Sequence, residues 1–329
     1  MHRLAPLCVV IMLGASPSAF AAEDCNRACL RTMLDQYLAA VTAHNPASAP
    51  LFAGFRQTEN AVVVRLGNGV WKTVTALGKV QRRYLDAVSG QAAYYGIVEE
   101  GASSAVVTVR IRVEDRKITE AEWYIARVGD PGLNGPAQPG QPPPNLFNPA
   151  GLIAEPPPER VVPKAARASR ELLMAIANSY FDGLTTHDGS IIMAHPGCVR
   201  IENGTNMMTR GGRGGGRGNA PAPAAPPAAP NDCASGLANF NASIVGGRRF
   251  PIADEEAGVV LGLAVFIRRP GSPVARNAFS EWFFVDDAKI RTIYTAMFYP
   301  APDLPVPNWP PYEGNWPLPA SIIPTPAAR

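Results

Sequence analysis

The chain has 329 residues, 47% of them hydrophobic, with 34 prolines, 30 glycines and a formal net charge of +3. That length suits two domains of ordinary size, each able to bury a core. So mild a charge leaves no electrostatic footprint for nucleic acid.

Residues 1–21 read as a signal peptide. His2 and Arg3 give a basic start, Leu7 to Leu13 is apolar but too short to span a bilayer, and Ala19-Phe20-Ala21 satisfies the small-x-small cleavage rule. No later run is long enough for a transmembrane helix, so a periplasmic or extracellular location is expected. Four cysteines follow, Cys25, Cys29, Cys198 and Cys233. An even count in an oxidising compartment favours disulfides. Of the three pairings, Cys25–Cys29 with Cys198–Cys233 is preferred, one in each module. A four-cysteine zinc site is the competing reading, but the spacing lacks a CxxC hook.

Residues 22–128 read as a first module. Asp24 is the expected N-cap of a helix carrying Leu30, Met33, Leu34, Tyr37 and Leu38 on one face, and His44-Asn45-Pro46 ends it. Strands are expected at 61–66, 91–98, 105–113 and 118–125, with a hairpin at Glu114–Lys117. Residues 129–163 form a Pro-rich connector, expected to be extended. Residues 164–300 read as a second module. Its helix carries Leu172, Leu173, Ile176, Ala177, Tyr180 and Leu184, closed by a left-handed cap at Asp188-Gly189. Strands are expected at 259–266, 279–285 and 290–298. Residues 205–232 hold a Gly/Pro-rich insertion expected to be disordered, and 301–329 form a Pro-rich tail with Trp309, Tyr312 and Trp316.

The two modules are copies. Tyr37, His44, Glu59 and Asn60 are answered by Tyr180, His187, Glu202 and Asn203 at one spacing of 143 residues (37 to 180, 44 to 187, 59 to 202). Lys117-Ile118 is answered by Lys289-Ile290 at 172. The longer spacing fits an insertion: Asn60 to Asp86 is 26 residues and Asn203 to Asp254 is 51. Duplication fixes the architecture before any chemistry is assigned.

Tyr37-Leu38-Ala39-Ala40-Val41 and Tyr180-Phe181-Asp182-Gly183-Leu184, with Glu59-Asn60 and Glu202-Asn203, resemble the nuclear-transport-factor-like superfamily. That group includes ketosteroid isomerases, SnoaL-like polyketide cyclases and scytalone dehydratase. As a secreted tandem, the chain also resembles an uncharacterised family of exported bacterial and fungal proteins. The resemblance implies an α+β fold of two cone-shaped modules, each with N-terminal helices on a strongly curved, mostly antiparallel sheet, paired as a monomeric pseudo-dimer. In ketosteroid isomerase the helical Tyr hydrogen-bonds an oxyanion and an Asp on the first strand moves the proton. The resemblance carries the first role to Tyr37 and Tyr180. The second position holds Asn60 and Asn203, and an amide cannot serve as a carboxylate base.

The candidate catalytic set is Tyr180, His187 and His195. A phenol suits a pocket through its apolar body and polar tip. A His at a helix end either meets the terminal carbonyls or works as a general acid/base. His195 faces Phe52 in the alignment, as divergence toward a single site in the second module would leave it. Candidate ligand contacts are Tyr37, His44, Glu202, Asn203, Asp254, Trp282 and Tyr294. For these a structural role competes throughout. Asn203-Gly204 is a strong turn signal, Arg200 with Glu202 makes a simple ion pair, and Asp254 is a turn carboxylate repeated at Asp86. There is no HExxH, GxSxG or GK[ST] motif, so no metal and no cofactor are expected. The function expected is a cofactor-independent lyase, dehydratase or isomerase acting on a small, mostly apolar or aromatic, oxygenated ligand. The alternative is a noncatalytic ligand-binding or scaffold protein.

Overall fold

The computed structural model describes residues 25–132, 135–136, 146–208, 232–240, 242–269 and 276–299. The expectations for the signal peptide, for Asp24, for the centre of the insertion and for the tail lie outside these residues.

Asn26 opens the first helix, α1 (Arg27–Thr42). Its side-chain oxygen accepts the Cys29 N–H at 3.0 Å, satisfying one of the amides a helix start leaves unpaired. The N-cap is therefore Asn26. Leu30, Met33, Leu34, Tyr37, Leu38 and Val41 form the buried face in the expected helical period. Then come β1 (Leu51–Glu59), β2 (Val62–Val64), the single-turn α2 (Val70–Thr73), β3 (Ala76–Asp86), β4 (Gln91–Glu100), β5 (Ser103–Glu114) and β6 (Lys117–Arg127). The sheet order is β2-β1-β6-β5-β4-β3. Only the β1–β6 pair is parallel.

The second module repeats this. The short α3 (Pro149–Ala154) precedes α4 (Arg170–Thr186), β7 (Ala194–Glu202), β8 (Thr205–Asn206), β9 (Ile244–Asp254), β10 (Val259–Ile267), β11 (Arg276–Asp286) and β12 (Lys289–Phe298). The order β8-β7-β12-β11-β10-β9 is the same, again with one parallel pair, β7–β12. The fold is α+β, two cone-like modules each with a helix on a curved, mostly antiparallel sheet.

Local chemistry explains the turns. Asp115-Arg116 and Asp287-Ala288 all have positive φ, between 47° and 56°, as two-residue hairpins with right-handed strand twist require. Asn60 and Asn203, both at φ 47°, turn the β1–β2 and β7–β8 hairpins. Their side chains also bond β6 and β12. The Asn60 oxygen accepts Ile125 N–H and its nitrogen donates to Ile125 O. Asn203 does the same with Met297.

Three local expectations change. The left-handed cap of α4 is His187 at φ 61°, whereas Asp188 caps the next turn by accepting Ser190 N–H. The connector is not simply extended. Residues 149–154 form α3, started by Asn148, whose side chain accepts Gly151 N–H. Strands β3 and β9 were not anticipated, because their outer halves are half-exposed and carry polar residues that blur the alternation.

The layers run helix, sheet, sheet, helix. One face of each sheet packs on its own helix. The other faces meet in a shared core holding Tyr84, Tyr95, Tyr124, Trp282, Phe284 and Tyr294. A reciprocal clamp closes this seam. Arg27, the first residue of α1, reaches Asp254 of the other module at 2.8 Å, and Asp254 also accepts Leu85 N–H. Arg170, the first residue of α4, reaches Asp86 at 3.0 Å, and Asp86 accepts Ala253 N–H. Each module supplies the other with the same pair of contacts, as a twofold-related dimer would.

A second cross-seam pair joins Arg249 to Glu122 at 2.5 Å, with Arg110 on the other side of that carboxylate at 2.9 Å. Burial works against the Glu122 charge, but Arg249 and Arg110 outweigh it and hold its pKa at about 2. A carboxyl depressed by folding adds stability that is present above its unfolded pKa and is lost as the pH falls toward its folded value. The protein is expected to lose roughly 3 kcal/mol from this group between about pH 5 and pH 2. Unfolding free energy measured against pH checks this: Glu122→Gln should flatten that acid limb, and an unchanged limb would contradict it.

Candidate functional site

The two cone interiors use the same positions for different chemistry. In the first, the fully buried Tyr37 hydroxyl donates to Gln57 Oε1 at 2.9 Å and accepts Trp123 Nε1–H at 2.9 Å. Trp71 Nε1–H donates to the same Gln57 oxygen at 2.8 Å. Gln57 Nε2–H and Val70 N–H both donate to Glu59 Oε1, and burial raises the Glu59 pKa. Trp71 and Phe55 pack on the Tyr37 ring. His44, at φ 54°, donates from Nδ1 to Trp71 O at 2.7 Å and so ties α2 to the helix end. This interior is filled by large apolar rings, and its polar tips bond one another.

In the second cone, Gln57 becomes Arg200. The β5–β6 pair Val109 and Trp123 becomes the β11–β12 pair Glu281 and Thr295. Arg200, 3% exposed, donates from Nη1 to Glu202 Oε2 at 2.5 Å. Its Nε and Nη2 donate to Glu281 Oε1 at 3.0 and 2.9 Å. Tyr299 donates to Glu202 Oε1 at 3.0 Å, while Arg268 forks onto Asn277 Oδ1 at 2.9 and 2.7 Å. Burial opposes the Arg200 charge, but Glu202 and Glu281 outweigh it and raise its pKa further. For Arg268 burial dominates and lowers the pKa. Tyr180 is fully buried beside this group, against Phe181 and Phe283 and within electrostatic reach of Arg200.

A buried ion cluster is a poor way to stabilise a fold, because desolvation offsets most of its Coulombic gain. The first cone serves as an internal reference, since the same backbone is packed there with Trp and Val. The backbone therefore does not require the Arg200–Glu281 ion pair, whereas a carboxylate, Glu59 or Glu202, is common to both cones.

The structure gathers some of the sequence candidates and separates others. Tyr180 and Glu202 face the same interior, and so do their copies Tyr37 and Glu59. Glu202 holds the inward position because Asn203 is already in the turn. His195, at the start of β7, bonds Asp286 O at 2.9 Å. It lies on the order of 20 Å along the strand from Glu202. His187 donates from Nδ1 to Leu237 O at 3.0 Å, with Nε2 3.4 Å from Arg269. Asp254, Trp282 and Tyr294 lie on the seam, across the sheet from Tyr180. There Trp282 Nε1–H donates to Thr108 at 2.9 Å. The disulfides are Cys25–Cys29 and Cys198–Cys233, the second tying β7 to the end of the insertion. Sequence reasoning missed Glu281, Arg268 and Tyr299. Glu281 was visible as a lone charge between Phe279 and Phe283 on an apolar strand face. Among the described residues, no His, Cys, Asp and Glu side chains group as a metal site, and no helix is long and apolar enough to cross a membrane.

Residues 166–297, the second module, match a family model described as a domain of unknown function, DUF8021. Among solved structures, the chain is similar to a protein of unknown function with cystatin-like fold from Methylobium petroleophilum PM1. Identity is 13% and the TM-score 0.28, over 44% of this chain and 99% of that one. Comparison with curated proteins gives no match.

Proposed function

We propose that the second cone is the working site of an exported, cofactor-independent acid–base enzyme acting on a small, mostly apolar, oxygenated molecule, with the first cone as its structural half. One observation carries the reading: Arg200 and Glu281 form a buried ion pair beside Tyr180 where the first cone has Gln57 and Val109 beside Tyr37, while Glu202 keeps the place of Glu59. Tyr180 would donate to an oxygen gaining negative charge, Arg200 would stabilise that charge, and Glu202 or Glu281 would move the proton. The resemblance to ketosteroid isomerases and SnoaL-like cyclases supports this, with Glu202 taking the part that Asn203 cannot. Two disulfides support export to an oxidising compartment.

A noncatalytic binding role is the second reading. It is favoured by Glu202, whose two oxygens are already engaged by Arg200 and Tyr299. The test is a screen of phenolic, enone and polyketide-like compounds for turnover and thermal shift. Tyr180→Phe and Glu202→Gln are compared with wild type, and Tyr37→Phe is the control. Turnover should fall about 10²–10³-fold in the first two and persist in the control. Binding without turnover would favour the noncatalytic reading. Turnover that survives Glu202→Gln and Tyr180→Phe would remove the second cone from the chemistry.

A further inference from the structure

The geometry points to a second site, unconnected with the cone interiors: a cleft on the seam that takes a small multivalent oxyanion, a polycarboxylate or a phosphate compound. The cleft has a volume of about 440 Å³ and lies where α1, β3 and the connector meet. That volume suits a small molecule. Its walls carry Arg27, Arg31, Arg82, Arg83 and Arg160.

Four of these arginines have carboxylate partners: Arg27 meets Asp254 and Glu256, Arg82 meets Glu159, Arg83 meets Asp35 and Arg160 meets Asp286, each through only part of its guanidinium. Two of the arginines are structural. Arg160 is spent on the carbonyls of Ala257, Gly258 and Val285 and on Asp286, and Arg27 on Leu85 O and Asp254. The other three have donors to offer. Arg31 is exposed and makes no hydrogen bond or ion pair among the described residues. Arg82 uses Nε and Nη1, leaving Nη2. Arg83 uses Nε and Nη2, leaving Nη1. Guanidinium groups with spare N–H donors are what carboxylate and phosphate oxygens recognise.

Tyr84 is an independent pointer. It lines the cleft, is 4% exposed, and its hydroxyl has no hydrogen-bond partner among the described residues. Leaving such a group unpaired costs about 1–3 kcal/mol. Its ring is held against Trp282 at 4.6 Å, and burial keeps the phenol protonated, so it is a donor. The hydroxyl is covered in the empty cleft, and a bound oxyanion that parts this wall would supply the acceptor that the fold withholds from Tyr84.

The experiment is calorimetric titration of the full protein with citrate and with pyrophosphate in low-chloride buffer, using wild type, Arg31→Gln and Tyr84→Phe. Saturable binding of at least one anion is expected, weakened about tenfold in Arg31→Gln. The unliganded thermal midpoint of Arg31→Gln should be unchanged, because Arg31 has no partner among the described residues to lose. Tyr84→Phe should fold as well as wild type and bind more weakly. Preference for citrate identifies a polycarboxylate site, and preference for pyrophosphate a phosphate site. No saturable binding of either anion, or affinity equal in wild type and both variants, would overturn the proposal. Neither residue belongs to the second cone, so the outcome is independent of the activity proposed there.

Discussion

Replacing Arg200 by Met is expected to destabilise the protein by about 3–5 kcal/mol, the cost of leaving buried charges uncompensated. Glu202 and Glu281 are both buried, and both direct oxygens at this one guanidinium. Without it, two like charges share a water-poor interior and must take up protons or draw in water. Arg200→Lys should recover only part of the loss, because a compact ammonium cannot reproduce the spread Nε, Nη1 and Nη2 donors that reach Glu202 and Glu281. The matching change in the first cone, Gln57→Met, removes neutral hydrogen bonds to Tyr37 and Trp71 and should cost about 1–3 kcal/mol. Urea unfolding curves of these variants check the ordering. An Arg200→Met protein within about 1 kcal/mol of wild type would mean that the charges are neither paired nor buried as described.

Asp254→Ala and Asp86→Ala should each cost about 3 kcal/mol, and by similar amounts. Each carboxylate lies across the seam from its partner arginine and also satisfies a buried backbone N–H of the other module, Leu85 for Asp254 and Ala253 for Asp86. Alanine leaves that amide without an acceptor and the arginine without its ion pair. Because the two clamps meet at adjacent residues, the double variant should lose less than the sum of the singles once the seam has opened. Thermal or urea unfolding of the three variants measures this. A large loss in one single variant and none in the other would contradict the internal symmetry.

Much of the fold was legible because the chain states it twice. Tyr37 with Tyr180 and Glu59 with Glu202 mark equal places in two helices and two first strands, so the spacing alone predicts matching modules. The clamp was legible in principle as well, since Arg27 and Arg170 stand at the same 143-residue spacing (27 to 170). An arginine at a helix start, however, reads locally as a solvated charge. The interior of the second cone was harder to read. Arg200-x-Glu202 suggests an ion pair two apart on a strand. Nothing local shows that Glu281, on a strand paired only with β10 and β12, completes it. His at a helix end or in a strand is a chemical candidate by residue type alone, whereas the bonds of His187 to Leu237 O and of His195 to Asp286 O are set by tertiary folding. Asn203 shows the same limit in reverse. Taken as the counterpart of a catalytic Asp it argues against acid–base chemistry, but as a turn residue at φ 47° it leaves Glu202 as the inward group.

On the proposed function, the second cone keeps its buried charges for work other than folding. The most direct measurement is the unfolding free energy of the combined variant Arg200→Met, Glu202→Gln, Glu281→Leu beside Arg200→Met alone. With all three charges gone, stability should return to the wild-type value or exceed it by about 1–4 kcal/mol, with any turnover or ligand binding by that cone lost. A combined variant as unstable as the single one would contradict the claim and make the cluster a structural element of the fold.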